Sequence, residues 1–200
     1  MKEKIWNHNL AYNNWIKKKV EGKKYILDVG CGKGYLDFEL YNDTRFITGI
    51  DIDISNNNYD NNKYPNLTFI KDDFIEYDFK NKKYDAIVFV ASIHHMNMEI
   101  ALEKAKHLLN KEGVILIVGI SKPTNIIDWS IDIGRIIPCK IISSLKKMKT
   151  CEDLNIKVNY RYDSLSNIKK VFKRIIPNYK LKYGLYYRYL LYWKKWQIII

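Results

Sequence analysis

Residues 27–34 read Leu-Asp-Val-Gly-Cys-Gly-Lys-Gly, an apolar run that breaks into three glycines at alternate positions. Glycine has no Cβ to clash and reaches positive φ at little cost, so a strand that stops on glycines lets its backbone pass close to a ligand. Spacing decides which ligand. A dinucleotide fingerprint places its third glycine three residues after the second, and that position is Tyr35. Gly30, Gly32 and Gly34 form G-x-G-x-G instead, with Asp28 two residues ahead of the first glycine.

Outward from this stretch the chain alternates apolar runs with amphipathic segments. Tyr25 to Val29 is too uniformly apolar for a half-exposed strand and reads as a central parallel one. Before it, residues 6–20 place Leu10, Trp15 and Ile16 near one helical face, with lysines closing the last turn and Gly22 ending the helix. Residues 34–41 form the helix after the loop. Phe46 to Ile52 is a second strand that ends on Asp51 and Asp53. A carboxylate there lies beside the first strand's loop and can accept both hydroxyls of a ribose. Asp51 suits that place, since Asp53 reads as a cap for the segment after it. Residues 55–64 are poor in helix formers. Leu67 to Ile70 is a third strand, followed by Asp72, Asp73 and Phe74. Tyr84 to Val90 is a fourth, leading into Ala91-Ser92-Ile93-His94-His95-Met96. Histidines at the carboxyl end of a parallel strand sit where such sheets bind ligands. Adjacent side chains diverge, so one of His94 and His95 is expected to point into the site as substrate contact or general base. Residues 97–109 form an amphipathic helix with Ile100, Ala101, Ala105, Leu108 and Leu109 inward, 110–113 a turn, and Val114 to Gly119 a fifth strand.

In order and spacing, Leu27 to Gly34, Asp51, Asp73, Ser92 to Met96 and Leu108 to Gly119 resemble the small class I S-adenosyl-L-methionine (SAM) methyltransferases. The family's Leu-x-Pro-Gly-Gly turn is present with Lys111 and Glu112 in place of Pro and the first Gly. His8-Asn9 with Tyr12, and Arg188-Tyr189-x-Leu-x-x-Trp193, resemble features of one bacterial group. The resemblance implies SAM as cofactor and S-adenosyl-L-homocysteine (SAH) as product. It implies that Asp28, Gly30, Cys31, Gly32, Gly34, Asp51, Ile52, Asp72, Asp73, Phe74 and Ala91 bind the cofactor. Asp51 would take the ribose, and Asp73, with Asp72 as competitor, the adenine amine. His94 or His95 would be catalytic, and His8 and Tyr12 would belong to a segment closing over the site. No metal is implied. The implied fold is a single α/β domain over 1–200, with a Rossmann-like seven-stranded, mostly parallel sheet and helices on both faces. A C-terminal antiparallel hairpin, from Lys180–Tyr183 and Leu190–Trp196, and a helical insertion over about 123–150 after strand five complete it.

The totals bound the function. The net charge is +12, and residues 151–200 hold eleven Lys or Arg against three acids. That face could attract phosphates or an anionic membrane surface, but the composition fits a solvated face better. The basic helix over 163–175 and the tyrosines of the hairpin read as packing elements. In the insertion, Ile126, Ile127, Ile131, Ile136, Ile137, Ile141 and Ile142 recur at helical spacing with Asp128, Asp132 and Arg135 opposite, and Pro138 divides them. Flanking lysines allow peripheral membrane contact, although the acids favour a plain packing helix. Cys31, Cys139 and Cys151 show no paired spacing, and with no signal-peptide pattern the expectation is a cytoplasmic protein. The acceptor expected is a small molecule. A nucleic-acid methyltransferase is the first alternative, disfavoured because strand four ends in Ala-Ser-Ile-His-His and not Asp/Asn-Pro-Pro-aromatic. A SAM-binding protein without catalysis is the second, and a dehydrogenase, disfavoured by Tyr35, the third.

Overall fold

A computed structural model describes residues 10–54, 60, 62–123, 162–185 and 188–196. Strand β1 (Tyr25–Val29) buries Leu27 and Val29 on one face and Ile26 and Asp28 on the other, which requires cover on both sides. It pairs in parallel with β2 (Phe46–Asp51) and with β4 (Tyr84–Val90). Beyond β2 lies β3 (Leu67–Lys71), and beyond β4 lies β5 (Leu109–Ile120). β7 (Arg188–Lys194) runs antiparallel to β5, and β6 (Lys180–Tyr183) forms the outer edge. The order is therefore β3-β2-β1-β4-β5-β7-β6. The chain moves outward from β1 in one direction and returns to β4 on its other side. This creates the crevice at the carboxyl ends of β1 and β4 where open α/β sheets bind ligands.

Each face carries its own core. Helices α1 (Asn13–Lys19) and α2 (Tyr35–Leu40) set Ile16, Val20, Leu36 and Leu40 against Ile26, Ile47, Val88 and Leu116. On the opposite face α3 (Met98–Leu108) and α4 (Leu165–Ile175) set Leu102, Ala105, Ile168 and Phe172 against Leu27, Phe89, Ile115 and Leu191. Asn97 caps α3 by accepting from the Glu99 and Ile100 amides, and Ser164 caps α4 by accepting from Asn167. Such caps are worth about 1 kcal/mol each. At the end of the sheet away from the crevice, Arg45 donates to the carbonyls of Lys23, Leu40 and Val20, tying the C-terminal ends of α1 and α2 together. There too, the Asp85 carboxylate accepts from the Lys24 and Tyr25 amides and from Asn110. No described helix is long and apolar enough to cross a membrane.

Seven strands, the mostly parallel sheet, helices on both faces and the C-terminal hairpin are as expected. Several details differ. The N-terminal helix is shorter than 6–20: a 3-10 turn over Leu10–Tyr12 precedes α1. Ile100 is 50% exposed, and Leu102 takes the inward place expected for it. Residues 110–113 do not separate two elements but form a bulge within β5: the pairing on β4 passes from Tyr84–Leu109 to Ala86–Val114, with no register partner for the residues between, and Glu112 has φ +61. β7 is an interior strand with one face in the core and the other half-buried, which gives its alternating burial, while β6 is the edge. His8, residues 55–59 and most of the insertion expected at 123–150 lie outside the described residues.

Candidate active site

Gly30, Gly32 and Gly34 all have positive φ, +73, +53 and +71. Their reasons differ. A Cβ on Gly30 would lie 2.3 Å from the Ser92 Cβ, and one on Gly34 would lie 2.5 Å from the Phe69 ring. These two glycines admit the loop after β4 and the floor of β3. Around a Cβ at Gly32 no atom of the described residues lies within 4 Å, so there the backbone is open to a ligand. The loop is held from below. Gly30 and Cys31 amides donate to the Ile50 carbonyl at 2.8 and 3.3 Å, and Ser92 Oγ donates to the Val29 carbonyl at 2.5 Å.

Asp51 joins this loop to the end of β2. Its Oδ2 accepts from the Gly32 amide at 2.8 Å and its Oδ1 from the Asp53 amide at 2.9 Å. A carboxylate has about four lone-pair sites, so two remain for other donors. Ile52 beside it is 70% exposed, an apolar surface at the mouth of the crevice. After β3, the Asp72 carboxylate accepts from the Asp73 amide, and the Asp73 carboxylate accepts from the Ile75 amide at 2.6 Å. Both acids shape the turn and sit exposed at the same strand ends. The Phe74 side chain, in contrast, packs in the core on Phe79 and Phe89, leaving only its backbone for the crevice. Cys31 has its thiol tucked against Gly49, where burial and the charges of Asp37, Asp28 and Asp51 hold it well above the usual thiol range. Ala91 occupies the left-handed region at φ +52, with its amide donating to Val118 at 2.8 Å. A non-glycine residue in that region is uncommon, and such backbone outliers cluster at ligand sites and switch turns.

Beneath the loop lies a feature the sequence reading missed. Asp28 on β1 and Asp37 on α2 are 2% and 0% exposed. Apart from the hydrogen bond the two carboxyls share when one is protonated, Asp28 Oδ1 and both Asp37 oxygens have no donor from another side chain among the described residues. Two carboxyls buried together cannot both ionise readily. Desolvation first, then the Asp51 charge, pushes Asp28 up to about 7, and desolvation and Asp28 raise Asp37 as well. The available signal was an acid between Leu36 and Leu40 on the buried side of a short helix.

His94 and His95 occupy a 3-10 turn, Ile93–His95, directly after β4. Their rings do not diverge. The centroids are 4.1 Å apart, and the Tyr162 ring packs edge-on to His94 at 5.0 Å. His94 Nδ1 is buried with no hydrogen-bond partner among the described residues. Burial, then the charges of His95 and Arg188, pushes the His94 pKa down to about 4, so the imidazole is neutral at pH 7. His95 is lowered by burial and drawn back by Asp51, which puts it toward the acid of β2. Arg188 opens β7 opposite Ile120, the last residue of β5, and so stands at the same end of the sheet. Tyr12 reaches that end too. Its hydroxyl donates to the Leu185 carbonyl at 2.6 Å, tying the N-terminal segment to the turn between β6 and β7. Tyr162 carries no motif, and only its contact with His94 reveals it. Among the described residues no cluster of three or more His, Cys, Asp or Glu could hold a metal ion.

Known proteins share this fold. A family profile described as a methyltransferase domain matches residues 21–179. An uncharacterized methyltransferase of Mycobacterium tuberculosis is 28% identical over 123 residues, 60% of this chain and 62% of that protein. One from Oceanobacillus iheyensis is 26% identical over 118 residues, 57% of this chain and 54% of its own length. This chain thus spans less than two thirds of either relative. Among solved structures, 1,6-didemethyltoxoflavin-N1-methyltransferase of Burkholderia thailandensis, with bound 1,6-didemethyltoxoflavin and SAH, superposes with a TM-score of 0.63 at 12% identity, covering 96% of this chain and 80% of that one. The plantazolicin methyltransferase BpumL, in complex with a monoazolic desmethylPZN analog and SAH, gives a TM-score of 0.64 at 18% identity, covering 94% and 83%. The profile covers most of the chain, and the protein belongs to the methyltransferase-domain family.

Proposed function

We propose that this protein transfers the methyl group of SAM to an oxygen or nitrogen of a small-molecule acceptor. The observation that carries the reading is the Gly32–Asp51 bond, which sets an unobstructed stretch of backbone beside a carboxylate with spare lone pairs at the switch point of the sheet. A nucleoside with a charged amino-acid tail fits those features. The Gly30–Gly34 backbone would take the tail and Asp51 the ribose hydroxyls. Ile52 would lie against the base and Asp73 would take its amine. The two solved structures above carry SAH in this fold, one with a small heteroaromatic molecule and the other with a monoazolic desmethylPZN analog.

When bound, SAM supplies an electrophilic methyl on a sulfonium. What this chain does is align an acceptor and keep water out, since an in-line displacement needs placement above all. His94 or His95, in the turn after β4, would accept a proton from a hydroxyl or amine as it reacts. Tyr12, bonded to the Leu185 carbonyl, would brace the crevice end of the sheet from the turn between β6 and β7.

The test incubates the protein with methyl-tritiated SAM and a bacterial cell extract, then separates small molecules, RNA and protein. Label in the small-molecule fraction, lost with Asp51→Ala, supports the reading. Label in RNA or protein contradicts the acceptor class, and label in no fraction contradicts transfer.

A further inference from the structure

A cation of α3 is committed to the turn that follows β3. Lys104 reaches across to it, and its ammonium donates to the carbonyls of Ile75 and Tyr77, both at 2.7 Å. The same ammonium stands 5.5 and 5.4 Å from the ring centroids of Phe74 and Phe79, within reach of a cation–π contact. A surface lysine ordinarily lays its stem on apolar groups and keeps its head in water; here the head is spent on backbone. The two residues it holds also hold Asp73. The Ile75 amide donates to the Asp73 carboxylate at 2.6 Å, and the Tyr77 amide donates to the Asp73 carbonyl at 2.9 Å. At its start the turn is tied to β2, where the Asp72 amide donates to the Asp51 carbonyl at 3.1 Å. Lys104 fixes the other end.

Resting on the reading of Asp73 as the adenine contact, we propose that Lys104 is a positioning residue: by clamping Ile75 and Tyr77 it holds the Asp73 carboxylate in the orientation that selects a 6-aminopurine over a 6-oxopurine. With one oxygen engaged by the Ile75 amide, the carboxylate keeps lone pairs for a further donor. An exocyclic amine supplies one. A 6-oxo group presents an oxygen to the carboxylate instead, and two acceptors facing one another are repelled. Such discrimination needs a fixed carboxylate, because a mobile one turns away from the wrong base at little cost. The turn does not hold its own shape easily, since Asp72, Asp73, Glu76 and Asp78 fall within seven residues and like charges push it open. The Phe74 ring anchors its middle in the core, and the ammonium closes it on α3. That helix starts directly behind the histidine turn, with Asn97 as its cap, so one element braces both the adenine side and the acceptor side of the crevice.

The experiment measures equilibrium binding of the full chain to SAH and to S-inosyl-L-homocysteine, which carries a 6-oxo group in place of the amine. Wild type prefers SAH by about ten- to hundredfold, the worth of one charge-assisted hydrogen bond. Lys104→Met lowers that preference by about threefold or more, and Lys104→Arg, which keeps a cation with several donors, restores it. Lys106→Met, on the same helix but paired with Glu103, leaves it unchanged. A lysine that only stabilised the fold would affect both ligands alike. An unchanged preference in Lys104→Met, alongside a lowered one in Asp73→Asn, therefore overturns the proposal. Should Lys104→Met fold poorly, Lys104→Gln, which has no ammonium, decides on the same ratio. No preference in the wild type, or one that survives Asp73→Asn, would instead defeat the adenine reading of Asp73, and absence of SAH binding would defeat the methyltransferase reading beneath both.

Discussion

Gly30→Ala and Gly32→Ala separate packing from ligand access within one loop. Both positions have positive φ, so an alanine at either pays about 1–2 kcal/mol for the left-handed backbone. At Gly32 that is the whole cost, because no atom of the described residues lies within 4 Å of the new Cβ. At Gly30 the Cβ would lie 2.3 Å from the Ser92 Cβ, and Ser92 is held by its bond to Val29. Something must move, adding the roughly 1–3 kcal/mol of an overpacked site. Urea denaturation should therefore show Gly30→Ala destabilised by about 2–5 kcal/mol and Gly32→Ala by about 1–2. The double variant Gly30→Ala/Ser92→Gly tests the cause. It removes the Ser92 Cβ and should be at least about 1 kcal/mol more stable than the sum of the single effects. SAH affinity should order the other way for its size of stability loss: Gly32→Ala, nearly silent in folding, places a methyl where the ligand lies and should weaken binding strongly. Equal stability losses at the two positions, or unchanged SAH affinity in Gly32→Ala, would refute the division of labour.

Four further outcomes follow from the same geometry. The folded-state pKa of Asp28 lies above its ordinary value, so the unfolded chain loses protons before the folded one and stability falls as pH rises from about 4 to about 7. Asp37→Asn should flatten that slope in pH-dependent denaturation. His94 behaves with the opposite sign. It resists protonation when folded, so its contribution is lost as pH falls from about 6.5 toward 4, and its NMR titration midpoint should lie well below that of a free imidazole. Tyr12→Phe removes the bond to Leu185 and should cost about 1 kcal/mol by chemical denaturation. Arg45→Met strips three carbonyls of a charged donor and should cost about 2–3 kcal/mol while leaving SAH affinity within twofold, since it acts at the far end of the sheet.

What could be read from the sequence was whatever repeats a local rule. β1, β2 and β4 are apolar runs buried on both faces, and their carboxyl ends carry the glycines, Asp51 and the histidine turn in an order that fixes the crevice. Features decided by packing between distant segments were not legible. Asp37 looks like a solvent residue on a short helix until α2 is laid on β1 and Asp28 lies beneath it. Ile100 and Leu102 are equally apolar, and only the orientation of α3 against the sheet chooses between them. The argument that neighbouring side chains diverge holds for extended chain. His94 and His95 lie in a 3-10 turn, where rotamers bring their rings together. The Asn110 to Gly113 stretch has turn composition, yet it becomes a bulge inside β5 because Leu109 and Val114 on either side of it both pair with β4. Tyr162 and Arg188 meet the site from far along the chain, and no spacing rule links them to His94.

The account depends most on the claim that the glycine loop and Asp51 bind SAM. Calorimetric titration of the protein with SAH and with NAD tests it directly. Saturable binding of SAH, no heat from NAD, and loss of most of the SAH affinity in Asp51→Ala is the predicted result. Binding of NAD in preference to SAH, or SAH affinity untouched by Asp51→Ala, would contradict it.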